Sequence, residues 1–112
     1  MTCVDEIRQI LPGNLLAVAY DLDNTGNVAW RYKDVKEVLA YLKTHGKVIL
    51  GGEVFTLSKE RIDLTWDLWE YQIDPALSPD ANIERSYDES VSYLDSYRKK
   101  FGDDFCYSVA FR

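Results

Sequence analysis

The segment KVILGGEVF, residues 47–55, constrains the fold more than any other stretch of the chain. Its apolar residues, on both sides of a Gly-Gly pair, predict a strand that is buried on both faces and therefore lies in the middle of a sheet. A glycine inside a strand weakens pairing and has no side chain to pack. Gly51 and Gly52 therefore predict a bulge, or a point where another group approaches the backbone closely.

The residues before this strand predict a short helix and a hairpin. Thr2 and Asp5 have the spacing of a capping box, and an amphipathic helix would follow them as far as Pro12 and Gly13. The predicted hairpin consists of a strand over 15–20, a turn over 24–27 and a return strand over 28–32.

A second helix is predicted to lead into the central strand. Asp34 and Glu37 form a capping-box pair, and Gly46 is suited to a left-handed cap at the other end. His45 is interpreted as a helix-end residue and not as a catalytic base. The buried stripe of this helix would consist of Val35, Val38, Leu39 and Leu42.

Residues 62–74 alternate between polar and apolar, but the alternation changes phase. Ile62, Leu64, Trp66 and Leu68 have one parity, and Trp69, Tyr71 and Ile73 have the other. A continuous strand would send these two sets to opposite faces, so the pattern predicts a bulge near residues 68–69 or a bend between two strands. A helix with residues 62, 66, 69 and 73 on one face is the alternative.

The rest of the chain predicts a loop, a long helix and a last strand. The loop covers 74–82, a capping box at Ser86 and Glu89 opens the helix, Gly102 ends it, and 105–111 form the strand. Together these elements predict one α+β domain over residues 1–112. Its sheet would have about five strands, mostly antiparallel or mixed, and would pack with three helices.

The formal net charge of −6 comes from one segment. Residues 62–96 contain nine acids and one base, Arg85, whereas residues 1–61 contain eight of each. This acidity disfavours nucleic acid as a partner and favours a protein with a basic surface, because complementary potentials speed encounter. A solvated face that aids solubility is the alternative.

Other sequence features indicate a cytoplasmic protein without a cofactor. No apolar window is long enough for a membrane span, and the first residues carry acids where a signal peptide would carry bases. Cys3 and Cys106 are interpreted as packed thiols. With the single His45 they do not supply a zinc site, so we expect no metal.

The stretch AVAYDLDNTG resembles the first motif of the haloacid-dehalogenase phosphatases. That resemblance implies Asp21 as a nucleophile and Asp23 as a general acid. The later Ser or Thr, the lysine and the further acids that phosphoryl transfer needs do not follow at the expected places. A calcium loop fails as well, because Tyr32 occupies the position of the bidentate Glu. A turn is the favoured interpretation.

Three other stretches carry a more extensive resemblance: AWRYKDVKEVLAYLKTHGKVILGGEVF, TWDLWEY and RSYDESVSYLDSY. They are similar to the immunity protein 40 family of bacterial polymorphic-toxin systems, small cytosolic proteins that protect a cell from a cognate toxin. The similarity covers roughly residues 28–101, and Glu53 stands where the family usually has Asp. The residues that match its pattern are Leu50, Gly51, Gly52, Glu53, Val54, Trp69, Ser86, Tyr93, Leu94 and Tyr97.

The resemblance implies an immunity protein that binds and neutralises a toxin domain. Aromatic side chains anchor interfaces and charges steer the encounter, so an acidic, aromatic surface suits a basic toxin. The predicted partner-binding residues are Glu53, Asp67, Trp69, Glu70, Tyr71 and Asp74. Two alternatives stay open: a small phosphatase-like or metal-dependent hydrolase that uses Asp21 and Asp23, and a structural domain without a dedicated partner.

Overall fold

The computed structural model describes residues 7, 9–22, 27–58 and 61–112. Within these ranges the chain forms an α+β fold with a six-stranded sheet, which confirms the predicted fold class. The helices are α1 (Gly13–Ala17), α2 (Tyr32–Thr44) and α3 (Pro79–Phe101). The strands are β1 (Tyr20–Asp21), β2 (Val28–Arg31), β3 (Ile49–Leu57), β4 (Ile62–Glu70), β5 (Phe105–Tyr107) and β6 (Ala110–Phe111).

Strand β3 lies inside the sheet, as its apolar sequence predicts, but it is not buried on both faces, since Glu53 and Thr56 are exposed. The strand order is β1-β2-β5-β3-β4, and β6 also pairs with β3. Each of these pairings is antiparallel. Helices α2 and α3 pack against each other and against the sheet. Strand β4, which carries three of the predicted binding residues, Asp67, Trp69 and Glu70, is therefore an edge strand.

The two glycines of β3 lie where neighbouring strands approach the backbone closely. Gly51 has φ 141°, and a Cβ there would overlap the carbonyl group of Trp69. A Cβ at Gly52 would overlap the carbonyl oxygen of Ser108 and the ring of Trp69. The pairing of β3 with β6 changes register between Ile49 and Gly51. Both predictions for the glycine pair, a bulge and a close approach, are confirmed.

Helix α2 has the predicted buried stripe but begins earlier than its capping box suggested. Arg31 is the N-cap, so Asp34 lies inside the first turn. A carboxylate there stabilises the helix, because it is close to the positive end of the helix dipole. Gly46 follows the helix with φ 72°, as expected for a left-handed cap. The four residues of the predicted stripe, Val35, Val38, Leu39 and Leu42, are buried.

The prediction that α3 begins at Ser86 is wrong. The helix starts at Pro79, and the N-cap Ser78 accepts a hydrogen bond from the Ala81 amide at 3.1 Å. Ser86 is buried one to two turns inside the helix and accepts a hydrogen bond from the Ile49 amide at 3.0 Å. The first half of α3 buries polar residues, so it lacks the apolar stripe by which a helix is usually recognised.

The predicted strand over 15–20 is also corrected. Residues Gly13–Ala17 form α1, and only Tyr20 and Asp21 pair as a strand. The carbonyl oxygen of Leu15 accepts a hydrogen bond from the fully buried indole of Trp30 at 2.8 Å. This contact fixes the helical turn on the core. Most of the helix predicted over residues 2–11 and of the turn over 24–27 lies outside the described residues.

The last predicted strand is divided into β5 and β6. Ser108 and Val109 lie between them, and the Ser108 amide donates a hydrogen bond to the Glu53 carbonyl of β3 at 3.0 Å. Cys106 is a buried free thiol, and burial raises its pKa to about 11. The packed-thiol interpretation is confirmed for Cys106, whereas Cys3 lies outside the described residues.

The substitution Gly52→Ala should destabilise the fold by about 3 kcal/mol or more, because its Cβ would overlap backbone as well as the Trp69 ring. Gly13→Ala is the matched control, since, apart from the adjoining backbone, no atom of the described residues lies within 4 Å of a Cβ at that position. Urea unfolding should show the control within about 1 kcal/mol of the parent protein. Equal stability of the two variants would contradict the close approach at Gly52.

Candidate functional site

The six residues predicted to bind a partner do not share one face of the sheet. Glu53 is the cross-strand partner of Leu68, so their side chains lie on the same face, and Glu70 follows on that face two residues later. All three are exposed. Trp69, between Leu68 and Glu70, points to the opposite face, towards α3. Alternation along β4 therefore separates the carboxylates from the tryptophan.

Trp69 is a core residue. Its side chain is 7% exposed, and its indole Nε1 donates a hydrogen bond to the buried hydroxyl of Ser90 at 3.0 Å. Its ring stacks on Tyr93 of α3, with 5.2 Å between ring centroids. Trp69 thus joins the edge strand to the long helix. Its indole has little surface left for a partner.

Tyr71 and Asp74 are held by Asn82 of α3. The Tyr71 hydroxyl donates to Oδ1 of Asn82 at 2.6 Å, and the Asp74 amide donates to the same oxygen at 2.9 Å. The Asn82 Nδ2 donates to the Asp74 carbonyl at 3.0 Å. The Asp74 carboxylate accepts a hydrogen bond from the Ala76 amide at 2.9 Å. These two residues therefore fasten the loop after β4, and the Tyr71 side chain is buried.

A bulge separates the two halves of β4. Between the pairs Glu53–Leu68 and Phe55–Leu64, β3 has one residue whereas β4 has three, residues 65–67. The sequence predicted a bulge, and it lies earlier than the predicted position. The helical alternative for this segment is wrong, since residues 62–70 form a strand.

Side chains on both sides of the bulge hold its shape. The Thr65 hydroxyl donates to the carbonyl of Val54 at 2.8 Å and accepts a hydrogen bond from the Asp67 amide at 3.1 Å. The Asp67 carboxylate accepts a hydrogen bond from the hydroxyl of Tyr97 at 2.8 Å. Burial, together with this carboxylate, raises the pKa of Tyr97 to about 12. The phenol therefore stays protonated and keeps donating throughout the neutral pH range.

Trp66, at the centre of the bulge, is the functional candidate that the sequence prediction missed. Its side chain is 82% exposed, and its φ is +72°. A residue other than glycine in this region carries a strain of about 1–3 kcal/mol, and such strain is concentrated at functional sites. The sequence contains one sign of this difference. Trp66 and Trp69 occupy an even and an odd position, so in a regular strand they would point to opposite faces and only one of them could lie on the buried face.

An open groove of about 650 Å³ lies along the sheet, and Leu68 and Glu70 of β4 are part of its lining. Phe55, Leu64 and the 54% exposed Leu68 contribute to its apolar lining. Glu53 and Glu70 are the charged residues among the described part of its lining. The groove therefore combines an apolar floor with carboxylates, the arrangement that suits a partner with apolar and basic side chains.

Some of the acids of residues 62–96 are neutralised within the protein and others are not. The ion pairs are Asp63–Arg61 (3.1 Å), Glu84–Lys43 (3.0 Å), Glu89–Arg85 (3.5 Å) and Asp95–Lys36 (3.1 Å). Hydrogen bonds from Tyr32 and Lys36 lower the pKa of Asp95. Across the described ranges, no ion pair involves Glu53, Asp67 or Glu70.

The alternative site at Asp21 and Asp23 is described only in part. Asp21 is exposed in β1, and Asp23 lies outside the described residues. In the part of the chain that the structure describes, no group of three or more His, Cys, Asp or Glu side chains is placed to hold a metal ion. Over the same part, no helix combines the length and apolarity needed to cross a membrane.

A comparison with family models matches residues 20–111 to the family described as Immunity protein 40. The chain belongs to this immunity protein family. The match extends to both sides of the residues that carried the resemblance, from β1 to β6. No curated protein and no solved structure matches the chain.

The residues that carry the resemblance lie mainly where β3, β4 and α3 meet. Gly52 makes room for the Trp69 ring, and Ser86 accepts a hydrogen bond from β3. The Glu53 amide donates to the hydroxyl of Ser108 at 3.1 Å. That bond is made by the backbone amide of residue 53, so it does not depend on the side chain there. These residues therefore serve the packing of the sheet on its helix.

The substitution Ser90→Ala should destabilise the fold by about 1–3 kcal/mol, because the buried Trp69 indole would lose its acceptor. Ser92→Ala, at an exposed position of the same helix, is the control and should change the stability by no more than about 0.5 kcal/mol. Both can be measured by urea unfolding followed by tryptophan fluorescence. A loss no larger than that of the control would show that Trp69 does not need this acceptor.

Proposed function

We propose that this member of the immunity protein 40 family acts in the cytoplasm, where it binds a cognate toxin domain and blocks its activity. Family membership supports the class of function. The observation that carries the binding surface is the pair of exposed carboxylates on β3 and β4, Glu53 and Glu70, neither of which is in an ion pair with a described residue.

These carboxylates favour a toxin with a basic surface. Unpaired charges on one side of a protein steer an oppositely charged partner and raise the association rate, an effect that salt screens. Glu53 and Glu70 border the groove, and its apolar floor would bury apolar side chains of the partner. Binding there would place the immunity protein over a basic surface of the toxin.

The other predicted residues contribute to this surface by holding it in place. Trp69, Tyr71 and Asp74 connect β4 and the following loop to α3. Their replacement would reduce binding through the shape of the edge strand, and the fold would lose stability at the same time. In contrast, replacement of Glu53 or Glu70 would reduce binding without that loss, because both side chains are exposed.

Co-expression tests the function directly. Cells that produce the toxin domain encoded by the neighbouring gene should grow when this protein is also produced, and the two purified proteins should form a complex. Absence of both rescue and complex would contradict the proposal. It would favour a structural domain without a dedicated partner.

The double substitution Glu53→Lys with Glu70→Lys should slow association with the toxin about tenfold or more at low salt, because attraction becomes repulsion. The difference should shrink as the ionic strength rises. Stopped-flow or surface plasmon resonance measurements can follow the rate.

The matched control places the same change in net charge on α3, with Asp88→Lys and Asp80→Lys, two exposed acids outside the proposed surface. Its association rate should stay within about threefold of the parent protein. An equal effect of both double variants would mean that net charge, and not this surface, governs the encounter.

A further inference from the structure

Trp66 differs from the other two tryptophans in its surroundings. Trp30 is fully buried and Trp69 nearly so, whereas Trp66 exposes 82% of its side chain. Tryptophan is the residue most enriched at the centres of protein interfaces, since its large ring buries much apolar surface with few rotatable bonds. In the folded protein, little of this apolar surface is buried at position 66.

The backbone at Trp66 also does not favour the residue that occupies it. A φ of +72° is readily adopted by glycine and is strained for a side chain of this size. Neither packing nor local conformation thus explains a tryptophan at this position. An interaction outside the described chain would explain both the exposure and the strain.

The position of Trp66 is fixed by its two neighbours. The Thr65 hydroxyl bridges the bulge, between the Val54 carbonyl and the Asp67 amide. The Asp67 carboxylate is in turn held by Tyr97 of α3. The backbone that carries the indole is therefore set before any partner arrives. An anchor on a preorganised backbone binds with a smaller entropy cost than one on a flexible loop.

The residues that follow Trp66 along β4 indicate the chemistry of its partner. Asp67 follows it directly, Glu70 lies further along the strand, and Leu68 adds exposed apolar surface. A complementary surface would present an apolar pocket for the indole, bordered by lysine or arginine side chains for the carboxylates. This is the same basic partner that the exposed carboxylates favour.

We propose that Trp66 is the principal anchor of the interface with the toxin, inserted into an apolar pocket with a basic border. The inference rests on the proposed function and goes beyond it, because it assigns most of the affinity to a residue outside the six predicted from the sequence. It also assigns the strained bulge the role of presenting the indole.

The test uses the full-length protein and the purified toxin domain encoded by the neighbouring gene. Trp66→Gly should weaken the complex by at least about 30-fold, the effect typical of an interface hot spot, measured by isothermal titration calorimetry. Its own stability should be equal to or higher than that of the parent protein, because glycine relieves the strain at φ +72°. Trp66→Phe should retain part of the affinity.

Val18→Ala is the control, since Val18 is an exposed apolar residue outside the proposed surface, 43% accessible. It should bind within about threefold of the parent protein. Acrylamide should quench the fluorescence of the exposed Trp66 less in the complex than in the free protein. This decrease in quenching should be absent for Trp66→Phe.

The outcomes separate this inference from the proposed function. If the parent protein binds the toxin and Trp66→Gly binds equally well, the anchor is overturned and the proposed function stands. If the parent protein does not bind the toxin, the proposed function fails and the anchor fails with it. If Trp66→Gly instead abolishes self-association in sedimentation experiments, the occupant is a second copy of the chain and the proposed interface is wrong.

Discussion

Strand β3 accommodates close neighbours at its centre only because Gly51 and Gly52 have no Cβ. The backbone carbonyl of Trp69 occupies the space that a side chain would fill at Gly51, and the carbonyl oxygen of Ser108 and the ring of Trp69 occupy it at Gly52. Trp69 then reaches α3 through the Ser90 hydroxyl. The position of the long helix on the sheet thus depends on two absent side chains. This dependence explains why β3 of this chain contains a glycine pair and not simply an apolar run.

The bulge at residues 65–67 divides β4 into parts with different tasks. Beyond it, Trp69 is buried and supports the core, whereas Glu70 is exposed. At the bulge itself the backbone turns out of the regular pleat, so Trp66 belongs to neither buried face. Two tryptophans three residues apart can therefore serve stability and recognition separately. In a regular strand the positions of the two tryptophans would be coupled, because any shift of one side chain would move the other.

The sequence predicts those elements whose apolar pattern agrees with their final surroundings. The stripe of α2 and the interior position of β3 follow directly from apolar spacing. The start of α3 could not be predicted in this way, because the buried residues Asn82, Ser86 and Ser90 are polar and satisfied only by tertiary hydrogen bonds. For the proposed site, the acidic residues of β4 can be read from the sequence. That Trp69 is buried and Trp66 exposed cannot, because it depends on which residues the bulge contains, and long-range pairing decides that.

Strand β4 also lies at the edge of the sheet, where unpaired backbone groups invite pairing with another chain. Its bulge and its carboxylates without an ion-pair partner among the described residues, Asp67 and Glu70, oppose pairing between two copies, because like charges repel. A basic partner removes that repulsion and gains attraction instead. The same charges therefore act against self-association and in favour of one class of partner. The strain at Trp66, about 1–3 kcal/mol, is small beside the 5–15 kcal/mol by which a typical domain is stable. The fold can thus hold an exposed anchor in place without depending on the partner for its stability.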